Sequence, residues 1–157
     1  MARVMFAATL AATLSAFAAA PLMANEIYGS DAKTIVTAMQ AQGFRAQLST
    51  DDDGAPLISS SVAGINFAVN FYGCEVPEGC QWIELAASFT TQTPTTMDMV
   101  NDWNANNLFG TSFIGTDGSV YLTYVLTTTG GLTRDNFNDV LARWEFAVGD
   151  FLRHINF

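Results

Sequence analysis

Hydrophobic and polar positions alternate along this chain with two periods, and the switches between them mark its elements. Ala32, Ile35, Val36 and Met39 recur at helical spacing as one apolar stripe. Ser30 or Asp31 can cap that helix, and Gly43 stands where it should end. Phe44, Ala46 and Leu48 then alternate with Arg45, Gln47 and Ser49, the period of a half-buried strand. A weaker strand is predicted from Pro56 to Val62, with a turn at Ala63-Gly64. The clearest alternation follows, with Ile65, Phe67, Val69 and Phe71 on one side and Asn66, Ala68, Asn70 and Tyr72 on the other. Ile83, Leu85, Ala87 and Phe89 repeat it against Trp82, Glu84, Ala86 and Ser88. If these two strands pair, Tyr72 and Trp82 share the polar face, as a binding platform or as cross-strand packing.

The second half begins with a helix. Thr95 with Asp98 three residues on reads as a capping box after Pro94. Met97, Val100 and Asn104 fall on one face, so the Asn104 amide needs hydrogen-bond partners, expected among backbone groups near Gly110. Asp117-Gly118 predicts a two-residue hairpin turn. The return strand carries Val120, Leu122, Tyr124 and Leu126 on one face and Tyr121 and Val125 on the other, which predicts a central or doubly covered strand. Thr133 caps a last helix, Leu132 and Phe137 are spaced as a hydrophobic staple, and Phe137, Val140, Leu141, Trp144, Val148, Phe151, Leu152 and Ile155 form one long stripe. Phe146 lies opposite that stripe, beside Asp139, Asp150 and Arg153, where it marks a candidate partner surface. The pattern predicts an α+β fold, an antiparallel sheet packed by helices in the order α-β-β-β-β-α-β-β-α.

Composition changes the picture at the N-terminus. Arg3, the apolar run Val4 to Ala20, Pro21 and the small residue Ala24 read as an export signal over residues 1–24, followed by a single domain over 25–157. The run is shorter than the roughly 20 apolar residues a membrane span needs, so it is read as cleaved rather than as a retained anchor. The expected location is the bacterial periplasm or the outside of the cell. The whole chain carries a formal charge of −9, and losing Arg3 leaves 5 basic against 15 acidic residues, or −10. Such a field repels phosphate backbones and anionic lipid heads, so neither nucleic acid nor a membrane surface is an expected partner.

Two cysteines, Cys74 and Cys80, flank Glu75-Val76-Pro77-Glu78-Gly79. In an exported chain they predict a disulfide across a hairpin loop, stabilising by about 2 kcal/mol in the chain-entropy model. Asp51-Asp52-Asp53-Gly54 lacks the alternate ligands and distant glutamate of a calcium loop and reads as a polar turn. His154 is the one histidine, and no phosphate loop or nucleophile elbow is present. No catalytic, cofactor-binding or metal-ligating residue is therefore assigned, and no cofactor is expected. A carboxylate pair using Glu84 would need three-dimensional assembly.

The run Phe67-Ala68-Val69-Asn70-Phe71-Tyr72-Gly73-Cys74 leads on to Asn101-Asp102-Trp103-Asn104, Phe109-Gly110, Asp117-Gly118 and Gly130-Gly131-Leu132. In this order and spacing it resembles the YbjN family of bacterial proteins, over about Asp31 to Ile155. The resemblance implies a fold like that of type III secretion chaperones and a label of sensory transduction regulator. It carries no catalytic residues, and the predicted export departs from the family's cytoplasmic members. Trp103, Asn104 and Gly110 are taken as its structural motif.

The reading is a non-enzymatic exported interaction or regulatory module. It binds a protein partner or a second copy of itself, through Tyr72 and Trp82 on the sheet or Phe146 on the last helix. The alternatives are a small-ligand sensor, binding between sheet and helix near Trp103, and a carboxylate-dependent enzyme.

Overall fold

A computed structural model describes residues 26–75 and 79–157. The predicted export signal and residues 76–78 of the cysteine loop lie outside the described residues. Eight strands and three helices follow one another as β1 (Glu26–Ile27), α1 (Ala32–Ala41), β2 (Arg45–Thr50), β3 (Pro56–Val62), β4 (Ile65–Tyr72), β5 (Trp82–Phe89), α2 (Met97–Asn106), β6 (Thr111–Ile114), β7 (Val120–Thr127), β8 (Leu132–Thr133) and α3 (Arg134–His154). The fold is α+β, with three helices and a six-strand antiparallel sheet in the order β2-β3-β4-β5-β7-β6. The expected succession of helices and long strands holds. The pattern missed β1 and β8, which pair Ile27 with Leu132 and tie the start of the described chain to the start of α3. Two residues per strand are too few to show a period.

Local chemistry accounts for most boundaries. The Asp31 carboxylate accepts from the N–H groups of Lys33 and Thr34, so Asp31 is the cap of α1. Gly43, at φ +88°, lets the chain leave the helix. The Asp51 carboxylate accepts from the N–H groups of Asp53 and Ala55, closing the acidic segment as an Asx-type turn between β2 and β3. Ala63 and Gly64 both take positive φ between the paired Val62 and Ile65, the geometry of a two-residue hairpin.

Two boundary expectations are corrected. The cap of α2 is Thr96, whose hydroxyl accepts from the Met99 N–H, and Thr95 lies one residue before it. The turn at Asp117-Gly118 is three residues long rather than two. Gly115 N–H donates to Ser119 C=O, leaving 116–118 as the loop, and Gly118 takes the left-handed position at φ +80°. The Thr133 hydroxyl accepts from the Asn136 N–H, which caps α3 as expected.

One face of the sheet is dry. Phe67, Val69, Ile83, Leu85, Phe89 and Leu122 point inward beneath α1 and α3 and are almost completely buried. The α3 stripe meets them ring to ring. Trp144 lies 5.7 Å from Phe67 and Phe151 lies 5.3 Å from Phe89, both near edge-on, the arrangement the ring quadrupoles favour. Burying each such side chain contributes about 1.5–3 kcal/mol, so this layer holds the sheet and helices together. Strand β7 is interior by hydrogen bonding, between β5 and β6, but only one side of it is covered: Val125 is exposed on the other.

Candidate interaction surface

The other face of the sheet carries no helix among the described residues. Its floor is small: Ala68, Ala86 and Thr123 stand side by side across β4, β5 and β7. The next row in register is Asn70, Glu84 and Val125, and after it Tyr72, Trp82 and Thr127. Tyr72 and Trp82 are direct cross-strand neighbours, 48% and 43% exposed, with Val125 diagonal to them at 57%. Together they form a half-wetted aromatic and aliphatic patch at one end of the open face.

The patch is held in place from below. Glu84 accepts hydrogen bonds from the Tyr72 hydroxyl at 2.9 Å and from the Asn70 amide at 3.2 Å. Partial burial, then the bond to Glu84, then the negative charges of Glu84 and Asp51 raise the Tyr72 pKa above the ordinary tyrosine value. The Trp82 ring lies against Gly73, where a β-carbon would fall 2.5 Å from the indole. Gly73 also sits at φ +62°, so a larger residue there would displace the ring and strain the turn.

Behind Gly73 the Cys74–Cys80 disulfide closes the β4–β5 hairpin, as the spacing predicts. Gln81 N–H donates to Tyr72 C=O, Thr128 N–H donates to Gln81 C=O, and the buried Thr128 hydroxyl adds a second bond there at 3.1 Å. The hairpin end that presents Tyr72 and Trp82 is thus braced by a covalent bond and by the strand end of β7.

At the opposite end of the face, Phe113 and Tyr121 stack in parallel, 5.0 Å between centroids. Phe113 is 45% exposed, and the Tyr121 hydroxyl donates to Asp117. Sequence reading did not single out Phe113. The signal available was its alternation with Ser112 and Ile114, too short in a four-residue strand to rank. The structure does not bring Phe146 to this surface. It stands on the solvent side of α3, 67% exposed, while α3 covers the inner face of the sheet.

The Trp103-Asn104-Gly110 motif forms a joint between α2, α3 and the edge of the sheet. Trp103 is buried, its indole N–H donating to Gly110 C=O at 2.9 Å. Phe151 fits edge-on against it at 4.8 Å, and the His154 ring lies 5.6 Å away. Gly110 is at φ +83°, and a β-carbon there would lie 2.7 Å from Leu122. Asn104 departs from its expected place. Met97 is exposed, Val100 and Trp103 make the buried face, and Asn104 lies off it, while its partners are backbone groups just beyond Gly110, as expected. Its amide donates to Ser112 C=O at 3.0 Å and accepts from Ser112 N–H at 2.8 Å.

His154 has a structural contact that spacing along α3 did not reveal. Its Nε2 lies 2.7 Å from the Met99 carbonyl and its Nδ1 3.9 Å from the Asp102 carboxylate, which latches the end of α3 to α2. Among the described residues, no three His, Cys, Asp or Glu side chains come together as a metal site, and no helix is long and apolar enough to cross a membrane.

The family YbjN, described as "Putative bacterial sensory transduction regulator", matches residues 31–157. No curated protein matches the chain. The chain belongs to the YbjN family.

Proposed function

We propose that this YbjN-family chain is a non-enzymatic regulatory module, exported from the cytoplasm, that works by binding protein on the open face of its sheet. One observation carries the reading: Tyr72, Trp82 and Val125 stand together, half exposed, on a rigidly braced sheet face. Large aromatic side chains with a polar tip are the residues that contribute most when a partner covers them. Their bracing by Glu84, Gly73 and the disulfide means that little side-chain freedom is lost on binding. The closed disulfide supports an oxidising compartment, in keeping with the export signal read at residues 1–24. The acidic charge favours a protein partner over a phosphate backbone.

The test is crosslinking of the tagged chain in living cells, with fractionation and mass spectrometry of what is captured. The expected result is a periplasmic or secreted chain beginning at Asn25 whose captured partner is lost from a Tyr72→Ser, Trp82→Ser variant of unchanged thermal stability. Capture unaffected by that variant but lost on Phe146→Asp would move the surface to α3 and defeat the open-face reading. A cytoplasmic chain that keeps residues 1–24 would defeat export.

A further inference from the structure

Glu84 is a charge without a counter-charge on the open face of the sheet. Its two hydrogen bonds, from the Tyr72 hydroxyl and the Asn70 amide, both end on Oε2. Among the described residues, no hydrogen bond reaches Oε1 and no basic side chain lies within ion-pair distance of the carboxylate. Arg45 is the only lysine or arginine on a strand among those residues, and β3 and β4 stand between it and Glu84. Lys33, Arg134, Arg143 and Arg153 belong to α1 and α3, which cover the other side of the sheet. A second negative charge, on Asp51, is felt at Tyr72. The open face thus carries an uncompensated carboxylate beside its aromatic patch.

The groups around that carboxylate suit a flat cation. Trp82 precedes Glu84 by two residues on β5 and so stands on the same face, half exposed. Val125 pairs with Glu84 across β7, and Ala86 follows on the same face, an apolar floor for a methylene stem. A cation within about 6 Å of an indole centroid is drawn to the ring quadrupole. A guanidinium is planar and weakly hydrated, so it can lie on the ring and donate to a carboxylate at once, whereas an ammonium is a strongly hydrated point charge. We propose that this corner of the open face receives an arginine side chain of a partner protein. The guanidinium stacks on Trp82 and donates to Glu84 Oε1, and its stem runs along Val125. Tyr72 and Asn70 keep their bonds to Oε2, so docking breaks no hydrogen bond of the free protein. The formal charge of −9 draws a basic segment toward the chain before contact. This inference rests on the reading of the open face as a protein-binding surface and deepens it by naming the chemistry that surface selects.

The test uses protein expressed from the full sequence and purified as the cell delivers it, with hexa-arginine as the probe and hexa-lysine beside it. Calorimetry at physiological salt should show hexa-arginine binding several-fold more tightly than hexa-lysine. Glu84→Gln keeps an oxygen for Tyr72 and Asn70 but removes the charge, and should weaken hexa-arginine about tenfold. Trp82→Leu should weaken it about threefold. Glu145→Gln removes the same charge from an exposed position on α3 and should change the affinity by less than about twofold. Trp103 and Trp144 are buried, so contact should be reported by the fluorescence of Trp82. Equal losses in Glu84→Gln and Glu145→Gln would reduce the binding to overall charge and overturn the site, as would hexa-lysine binding as tightly as hexa-arginine. Binding of a neutral sugar oligomer such as chitotetraose, with no response to hexa-arginine, would make the patch a glycan surface and overturn it too. Partner capture in cells is scored separately. Capture lost from the Tyr72→Ser, Trp82→Ser variant but kept by Glu84→Gln overturns the arginine reading and leaves the open face as the surface. Hexa-arginine binding at Glu84 together with capture that depends only on Phe146 does the reverse.

Discussion

The β6 edge and the β2 edge border the same sheet and each runs beside a helix, yet a side chain takes both outward backbone groups of Ser112 on one and only the C=O of Ala46 on the other. Strand β6 is four residues long, and α2 lies beside it with Trp103 anchored on Gly110 and Asn104 on Ser112. Strand β2 is longer; α1 packs beside it, and among the described residues one side-chain bond, from the Gln40 amide to Ala46 C=O, reaches its backbone. An amide side chain carries one donor and one acceptor face in the spacing of a peptide group, so a single well-placed asparagine can end a sheet. The sheet therefore has one edge on which further pairing is blocked and one on which it is permitted.

The largest blow to this contrast should come from Trp103→Ala. It empties the space between α2, α3 and the sheet and removes the bond to Gly110, with an expected loss of about 3–5 kcal/mol. Urea unfolding of wild type and variant reads it directly; a loss below about 1 kcal/mol would mean α2 does not anchor the β6 edge.

Asn104→Ala is the sharper experiment, because it opens the edge without emptying the core. Two hydrogen bonds disappear and Ser112 must turn to water, so stability should fall by about 1–3 kcal/mol. The same variant should gain amide exchange at Ser112 and a stronger tendency to associate. Unchanged exchange at Ser112 would show that the amide was not sealing that edge.

Leu48→Lys acts on the open edge alone. With its side chain 41% exposed, stability should move by no more than about 0.5 kcal/mol in urea unfolding. A stability loss of several times that size would make Leu48 a packing residue rather than an edge residue.

The smallest expected effect concerns the cap of α1, the helix beside β2. Hydrogen bonds from Thr34, then from Lys33, hold the Asp31 carboxyl below the ordinary aspartate value. Its contribution is present above that ordinary value and is lost as pH falls through the lower folded value. Asparagine caps as well but does not titrate, so Asp31→Asn should flatten the acid limb of the stability profile slightly. A profile that keeps its slope in Asp31→Asn would assign that limb to other carboxylates.

Much of this fold was legible before any coordinates. The alternation through Ile65–Tyr72 and Trp82–Phe89 marks two strands and the side each buries, and the α3 stripe marks the helix that covers them. Less of the candidate surface was legible. Tyr72 and Trp82 were readable as neighbours because a hairpin clamped at Cys74–Cys80 leaves one register open to them. Phe113 and Val125 were not, because which strand borders β5 is decided by a long connection through α2 and β6. Asn104 was placed one position out of true, since the buried face of α2 is set by Trp103 and Val100 rather than by Met97.

By itself the sequence determined the long strands and the helices, the inward sides of β4, β5 and α3, the single disulfide open to two cysteines, and the family. These depend on the period of a residue pattern about its own axis, on caps and on counting, all of which are local. The tertiary structure alone decided that Asn104 closes β6, that His154 latches α3 to Met99, and that, among the described residues, nothing occupies the outward backbone groups of Leu48 and Thr50. Those outcomes depend on which elements become neighbours, and no local period records that.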